Sequence, residues 1–322
     1  MNKPLVLVTR RIPSPAFDRV QAACTVRHWD DDAPIPRAAL LTMAAGVDGI
    51  YCLITDRIDA PVLANAGPQL RIVSTMSVGY DHVDVAACAA HGVAVGHTPG
   101  VLTETTAELA VALLLATARR LPEAWYAVKA GQWGPWHPEW MTGADIFGST
   151  VGIVGLGRIG AAVAQRLTGF GCRLLYSGLA PKPDIAGPVG ARFVDFPTLL
   201  AESDFVTIHC PLNAATQHLF DAAAFARMKR TAILINTSRG GVIDQEALYT
   251  ALVTGEIAAA GLDVTTPEPL PPDHPLLGLP NCVILPHIGS ASVATRTRMA
   301  VMAADNLVAG VTGLPLPNPV VL

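Results

Sequence analysis

The stretch VGIVGLGRIGAAVAQRL, residues 151–167, limits what this chain can fold into more than any other. An apolar run suited to a buried strand leads into Gly155, Gly157 and Gly160, spaced G-x-G-x-x-G. A helical pattern follows, with Ile159, Val163 and Leu167 on one face. Such glycines alone mark ordinary turns, but a strand before them and a helix after them give each a separate task. Gly155 permits a tight turn, Gly157 lets the backbone approach a pyrophosphate, and Gly160 lets helix and strand pack closely. The helix opening, with Arg158 and Ile159, then offers unpaired N–H groups to an anion. A dinucleotide-binding unit on a parallel sheet is the expectation.

Apolar runs alternate with helical patterns along nearly the whole chain, the signature of parallel sheets made of βαβ units. Runs at 4–10, 25–29, 49–55, 70–77 and 92–98 predict a small flavodoxin-like domain. A long, mostly apolar helix is predicted over 103–121. So much apolar surface must be covered, which places it between domains or between subunits. Six further runs, at 149–157, 172–177, 205–210, 232–238, 259–264 and 281–287, make a complete dinucleotide-binding sheet. A terminal helix over 292–313 is expected to pack back on the first domain. The predicted architecture is α/β, with two doubly wound parallel-sheet domains. A Rossmann cofactor domain at 99–287 is inserted into a discontinuous substrate domain at 1–98 plus 288–322.

Composition narrows the function class. The chain is 51% hydrophobic with a formal net charge of −4 and no Lys/Arg block, so neither nucleic acid nor anionic membrane is an expected partner. The longest apolar stretch, Leu109 to Ala118, is too short to cross a bilayer, and the opening PLVLVTR lacks the features of a signal peptide. Cys24, Cys52, Cys88, Cys172, Cys210 and Cys282 are scattered without a C-x-x-C. They are expected to be buried thiols of a cytoplasmic protein, with no metal site.

Cofactor choice is set at the end of the second strand of the nucleotide domain. An NAD-binding fold usually carries an acidic residue there, to hold the ribose hydroxyls. Here the position falls on Ser177 and Gly178, and Lys182 follows. Without a carboxylate to repel a 2′-phosphate, NADP(H) is favoured and NAD(H) stays possible.

Three polar residues sit at or just past the ends of late strands: Arg239 after AILINTS, Glu268 after AAGLDVTTPEP, and His287 at the end of NCVILPH. A solvated guanidinium in a surface loop would explain the arginine alone. Together the three suit hydride transfer to a 2-oxo acid. Arginine offers a planar fork to a carboxylate, and a histidine beside a carboxylate can protonate the carbonyl oxygen.

With these residues in place, the chain resembles the D-2-hydroxyacid dehydrogenase family over essentially its whole length, in GLGRIG, NTSRGGVID, GLDVTTPEPLPPDHPL and ILPHIGSAS. Within it, VSTMSVGYDHVD, TPGVLTETTAELAVALLLATARRLPEA and VKAGQWGPWHPEWMTG are most similar to the glyoxylate/hydroxypyruvate reductases. The resemblance implies catalytic roles for Arg239, Glu268 and His287. It implies that Val78, Gly79 and Ser290 face the substrate, that Thr237, Asp263 and Gly289 lie near the nicotinamide, and that Pro211 lies on the adenosine side. It also implies a homodimer with a catalytic cleft that closes on ligand. Leu179 departs from the arginine that NADPH-preferring relatives tend to carry, while Glu268, being no glutamine, argues against formate oxidation. The segment GQWGPWHPEWM is expected to be an irregular arm. Trp136 either packs at a dimer interface or reaches the neighbouring subunit's substrate pocket. The activity implied is NAD(P)H-dependent reduction of glyoxylate and hydroxypyruvate. The alternatives are a 2-hydroxyacid dehydrogenase of another preference and a nucleotide-sensing protein of the corepressor branch.

Overall fold

The computed structural model describes residues 3–321. The chain divides into two compact units, Met1–Leu102 with Ser290–Leu322, and Thr103–Gly289. In the first, strands β1 (Leu5–Val8), β2 (Thr25–His28), β3 (Gly49–Cys52), β4 (Ile72–Thr75) and β5 (Ala94–Gly96) alternate with helices α1 (Ser14–Ala23), α2 (Arg37–Ala44), α3 (Ala60–Ala66) and α4 (Val85–Ala90). The second holds helices α5 (Thr103–Ala118), α6 (Leu121–Lys129), α7 (Arg158–Leu167), α8 (Pro183–Ala186), α9 (Phe196–Glu202), α10 (Ala222–Arg227) and α11 (Gln245–Thr254). Its strands are β6 (Thr150–Val154), β7 (Arg173–Ser177), β8 (Arg192–Phe193), β9 (Phe205–Ile208), β10 (Ile233–Asn236), β11 (Ala259–Leu262) and β12 (Cys282–Ile284). Helix α12 (Val293–Thr312) returns to the first unit.

The first sheet runs β2-β1-β3-β4-β5 and every pair is parallel. Its central strands β1, β3 and β4 are buried along almost their whole length because helices cover both faces. Helix α12 supplies one of those covers through Met299, Ala300, Ala303, Ala304 and Leu307, which share a core with Val6, Val8 and Tyr51. Tyr51 Oη donates to the Ala300 carbonyl at 3.1 Å and Ser74 Oγ to the Ala303 carbonyl at 2.7 Å, so the helix is fixed by polar bonds as well.

The second sheet runs β12-β11-β10-β9-β6-β7-β8, again all parallel. The chain moves outward from β6 in one direction and then in the other, so strand order reverses between β6 and β9. Ligands of such sheets bind outside the carboxyl ends at that reversal.

Two sequence expectations are corrected here. The sheet has seven strands, not six: the extra edge strand β8 is two exposed residues, too short to carry a periodic signal. The helix expected over 103–121 stops at Ala118. Arg120 turns into the left-handed region (φ +53), and α6 restarts with Pro122 in its first turn. A proline there cannot donate to the preceding turn, and the Ala118 carbonyl instead accepts Ala144 N–H at 2.9 Å. The apolar surface of α5 also finds much of its cover within its own unit, where Ala107, Ala110, Leu113 and Leu114 share a core with Val151, Ile153, Ile233 and Ile235.

Candidate active site

The glycine-rich turn joins β6 to α7 as its spacing demands. Gly155 has φ +94, a conformation that favours glycine, and a Cβ there would lie 2.7 Å from Cys210 N beyond β9. A Cβ on Gly160 would meet the Gly155 carbonyl oxygen at 2.2 Å, so helix and turn touch backbone to backbone. A Cβ on Gly157 would meet nothing within 4 Å, which leaves open space over the backbone that opens α7. No side chain among the described residues caps the first turn at Arg158 and Ile159. Ser177 closes β7 and is buried, and its carbonyl accepts Gly155 N–H at 2.9 Å. Gly178 is open, Leu179 is fully exposed, and Lys182 turns back so that Nζ donates to the Leu156 carbonyl at 3.1 Å. Pro211, exposed, follows β9, and its carbonyl accepts Thr216 Oγ1 at 2.6 Å.

Farther along the same sheet edge, β10, β11 and β12 lie side by side with Asn236, Leu262 and Ile284 in register. Arg239 and His287 each come three residues past that row and Glu268 six residues past it. Neighbouring strands are about 4.8 Å apart, so the arginine and histidine leave strands separated by roughly 10 Å, with the glutamate loop rising between them.

The turn at Arg239 is folded by Asn236, which is fully buried. Its Nδ2 donates to the Arg239 carbonyl at 2.9 Å, and its Oδ1 accepts both Ser238 N–H and Ser238 Oγ at 2.9 Å. The Arg239 guanidinium donates through Nη1 to the Ser238 carbonyl at 2.9 Å. Thr237 Oγ1, between them, is buried with no hydrogen-bond partner among the described residues. A buried hydroxyl without a partner is costly, which makes this atom a ready contact for a ligand.

His287 Nδ1 lies 2.8 Å from Glu268 Oε2, and the two side chains are 27% and 35% exposed. The second glutamate oxygen accepts Thr265 N–H at 3.0 Å. Partial burial pushes the Glu268 carboxyl up. The hydrogen bond and charge of His287, the Thr265 N–H and the charge of Arg239 outweigh it and leave the group below its ordinary value. Arginine, glutamate and histidine therefore form one electrostatic cluster. Asp263, one residue past β11, is buried. Its carboxylate accepts Ile288 N–H at 2.8 Å and Gly289 N–H at 2.7 Å, while its carbonyl accepts His287 N–H at 2.9 Å. Burial pushes the Asp263 carboxyl up, and the two amide bonds offset part of that rise.

Of the other expected residues, Val78, Gly79 and Ser290 belong to the first unit. The Val78 carbonyl faces His97 Nδ1 at 3.0 Å, the Gly79 carbonyl accepts Ser77 Oγ at 2.5 Å, and the carbonyl of the buried Ser290 accepts Ser292 N–H at 2.9 Å. Trp136 is 85% exposed in a segment without helix or strand. No group of three or more His, Cys, Asp or Glu among the described residues is arranged to hold a metal, and no helix is long and apolar enough to cross a membrane.

The family model for the D-isomer specific 2-hydroxyacid dehydrogenase NAD-binding domain matches residues 111–289. The chain belongs to the D-2-hydroxyacid dehydrogenase family. It is 53% identical over 318 residues to the human protein named glyoxylate reductase/hydroxypyruvate reductase, covering 97% of this chain and 96% of that one. A solved structure from Thermus thermophilus matches with a TM-score of 0.92 at 47% identity, over 98% of this chain and all of that chain. The NADPH-dependent glyoxylate/hydroxypyruvate reductase of Sinorhizobium meliloti, solved with NADP and malonate, matches with a TM-score of 0.86 at 35% identity, over 99% of this chain and 97% of that chain.

Sequence reasoning missed the part played by Asn236, the first residue of NTSRGGVID, which folds the turn at Arg239 but was hidden by its place at the end of an apolar run. It also passed over Gln245, just beyond that motif, whose partners lie far along the chain.

Proposed function

We propose that this protein reduces small 2-oxo acids, turning glyoxylate into glycolate and hydroxypyruvate into D-glycerate, with NADP(H) favoured over NAD(H). The observation that carries the reading is the His287–Glu268 pair at 2.8 Å, which follows β12 and β11 at the same carboxyl end of the sheet where Arg239 follows the adjoining β10. The residues present suit a dinucleotide: open space over Gly157, an uncapped α7 and the unpartnered Thr237 hydroxyl are the contacts its phosphates and nicotinamide end would use. Arg158, Ile159, Ser177, Gly178, Pro211, Asp263 and Gly289 complete the cofactor set. When bound, the reduced nicotinamide supplies the hydride.

Arg239 holds the substrate carboxylate with its guanidinium fork. His287, steadied at Nδ1 by Glu268, gives the proton from Nε2 to the carbonyl oxygen as that oxygen gains charge, and the imidazole is left neutral. The NADP(H) preference is supported by the absence of a carboxylate at Ser177–Gly178 and by Lys182, whose ammonium sits against the glycine-rich turn. The chain works as a homodimer, supported by the exposed aromatic arm with Trp133, Trp136 and Trp140, and Trp136 walls the partner's substrate pocket. Six free cysteines suit a cytoplasmic location.

The test is a kinetic matrix: oxidation of NADPH and of NADH followed by absorbance with glyoxylate, hydroxypyruvate and pyruvate. The reading expects turnover of the first two acids, faster with NADPH. Nucleotide binding without turnover of any 2-oxo acid overturns it in favour of a sensor.

A further inference from the structure

Arg239 and Glu268 stand on different loops, yet two contacts join those loops without involving either side chain. Gly240, next to Arg239, lies against the main chain of Thr265: a Cβ there would fall 2.1 Å from the Thr265 carbonyl carbon and oxygen. Gln245, the first residue of α11, grips Thr266 at both ends of its amide. Its Oε1 accepts Thr266 N–H at 3.0 Å and its Nε2 donates to the Thr266 carbonyl at 2.8 Å. The His274 ring closes the far side of that amide, with Nε2 at 3.1 Å.

The path from this clamp to the acid pair is short. Thr265, beside Thr266, gives its N–H to Glu268 Oε1 at 3.0 Å and its hydroxyl to the Pro267 carbonyl at 2.8 Å. Glu268 Oε2 then meets His287 Nδ1. A neutral amide is the side chain this clamp requires. Leucine fills similar space with neither bond. Glutamate keeps the acceptor but loses the donor, and it sets a negative charge against the Thr266 carbonyl.

We propose that Gln245 is a positioning residue for the reaction. It fastens the loop carrying Glu268 to the segment carrying Arg239, so the proton-donating pair and the carboxylate-binding guanidinium keep one fixed spacing. The inference rests on the acid-pair reading given above. Misplacing a reacting group by about an ångström can lower the rate a hundredfold, so loss of the clamp is expected to show in kcat more than in nucleotide affinity.

The experiment measures kcat, KM and the pH profile of kcat/KM with hydroxypyruvate for Gln245→Leu, Gln245→Glu, Glu268→Gln and both double variants, with NADPH affinity and thermal melts recorded for each. Gln245→Leu is expected to lower kcat about ten- to a hundredfold, move the basic limb of the profile, and leave NADPH affinity within twofold. Added to Glu268→Gln, it should lower kcat little further, because both changes act on one element. Wild-type kcat and pH profile in Gln245→Leu overturn the proposal, as do losses that multiply in the double variant. If Gln245→Leu fails to fold, Gln245→Glu decides by the same two criteria. His287→Asn separates the two levels: full turnover there removes the acid-pair reading itself, whereas an inactive His287→Asn beside an unaffected Gln245→Leu removes only the clamp.

Discussion

His287 carries its ring on a left-handed backbone, φ +54, a conformation that histidine and asparagine tolerate better than most residues. Asp263 fixes that turn: its carbonyl accepts His287 N–H and its two carboxylate oxygens accept Ile288 N–H and Gly289 N–H. Asparagine is therefore the cleaner replacement, since it keeps the backbone and removes the acid. His287→Asn is expected to lower kcat by about 10²–10⁴ with a modest change in KM, whereas Arg239→Ala should also raise KM; steady-state kinetics check both. Glu268 supplies a pH signature. Its folded pKa lies below its ordinary value, so it favours the folded state above its unfolded pKa of about 4.3, and that contribution fades as pH falls through the folded value. Melting curves from neutral to acid pH should show Glu268→Gln less stable than the parent near neutrality, with the gap closing below about pH 4; a gap that widens in acid would contradict the assignment. Arg239, Glu268 and His287 were legible because each ends or follows an apolar run. Gln245 was not, because its partner Thr266 lies 21 positions away and only the folded chain brings them together.

At the scale of elements, the turn between β6 and α7 was the most legible part, because its three glycines have three different physical reasons. Those reasons separate by mutation. Gly160→Ala drives a methyl into the Gly155 carbonyl and is expected to cost about 1–3 kcal/mol of stability, seen as a lower denaturation midpoint. Gly157→Ala meets open space, so the free protein should melt near the parent temperature while NADPH binds more weakly. If both variants melt alike and bind alike, the division of labour is wrong. Elsewhere boundaries were less legible. Strand β8 has too few residues to announce itself, and the break after Ala118 depends on its carbonyl being taken by Ala144, a contact made 26 residues downstream.

For the whole molecule, the alternation of strands and helices foretold two parallel sheets, and both are present. What lies outside a single chain leaves fainter marks. Trp136, 85% exposed beside the exposed Trp133 and Trp140, is the surface that the proposed homodimer would cover. Trp136→Ala should leave the melting temperature unchanged and raise kcat/KM for bulkier 2-oxo acids relative to glyoxylate; identical kinetics with every acid tried would remove it from the pocket. The larger sheet also ends in stubs, two residues at β8 and three at β12. Long bare margins invite foreign strands to zip on, and such short ones give them almost nothing to grip. Any contact another copy made there would fall on side chains, where specificity can be written, and not on a backbone ladder open to every passing strand.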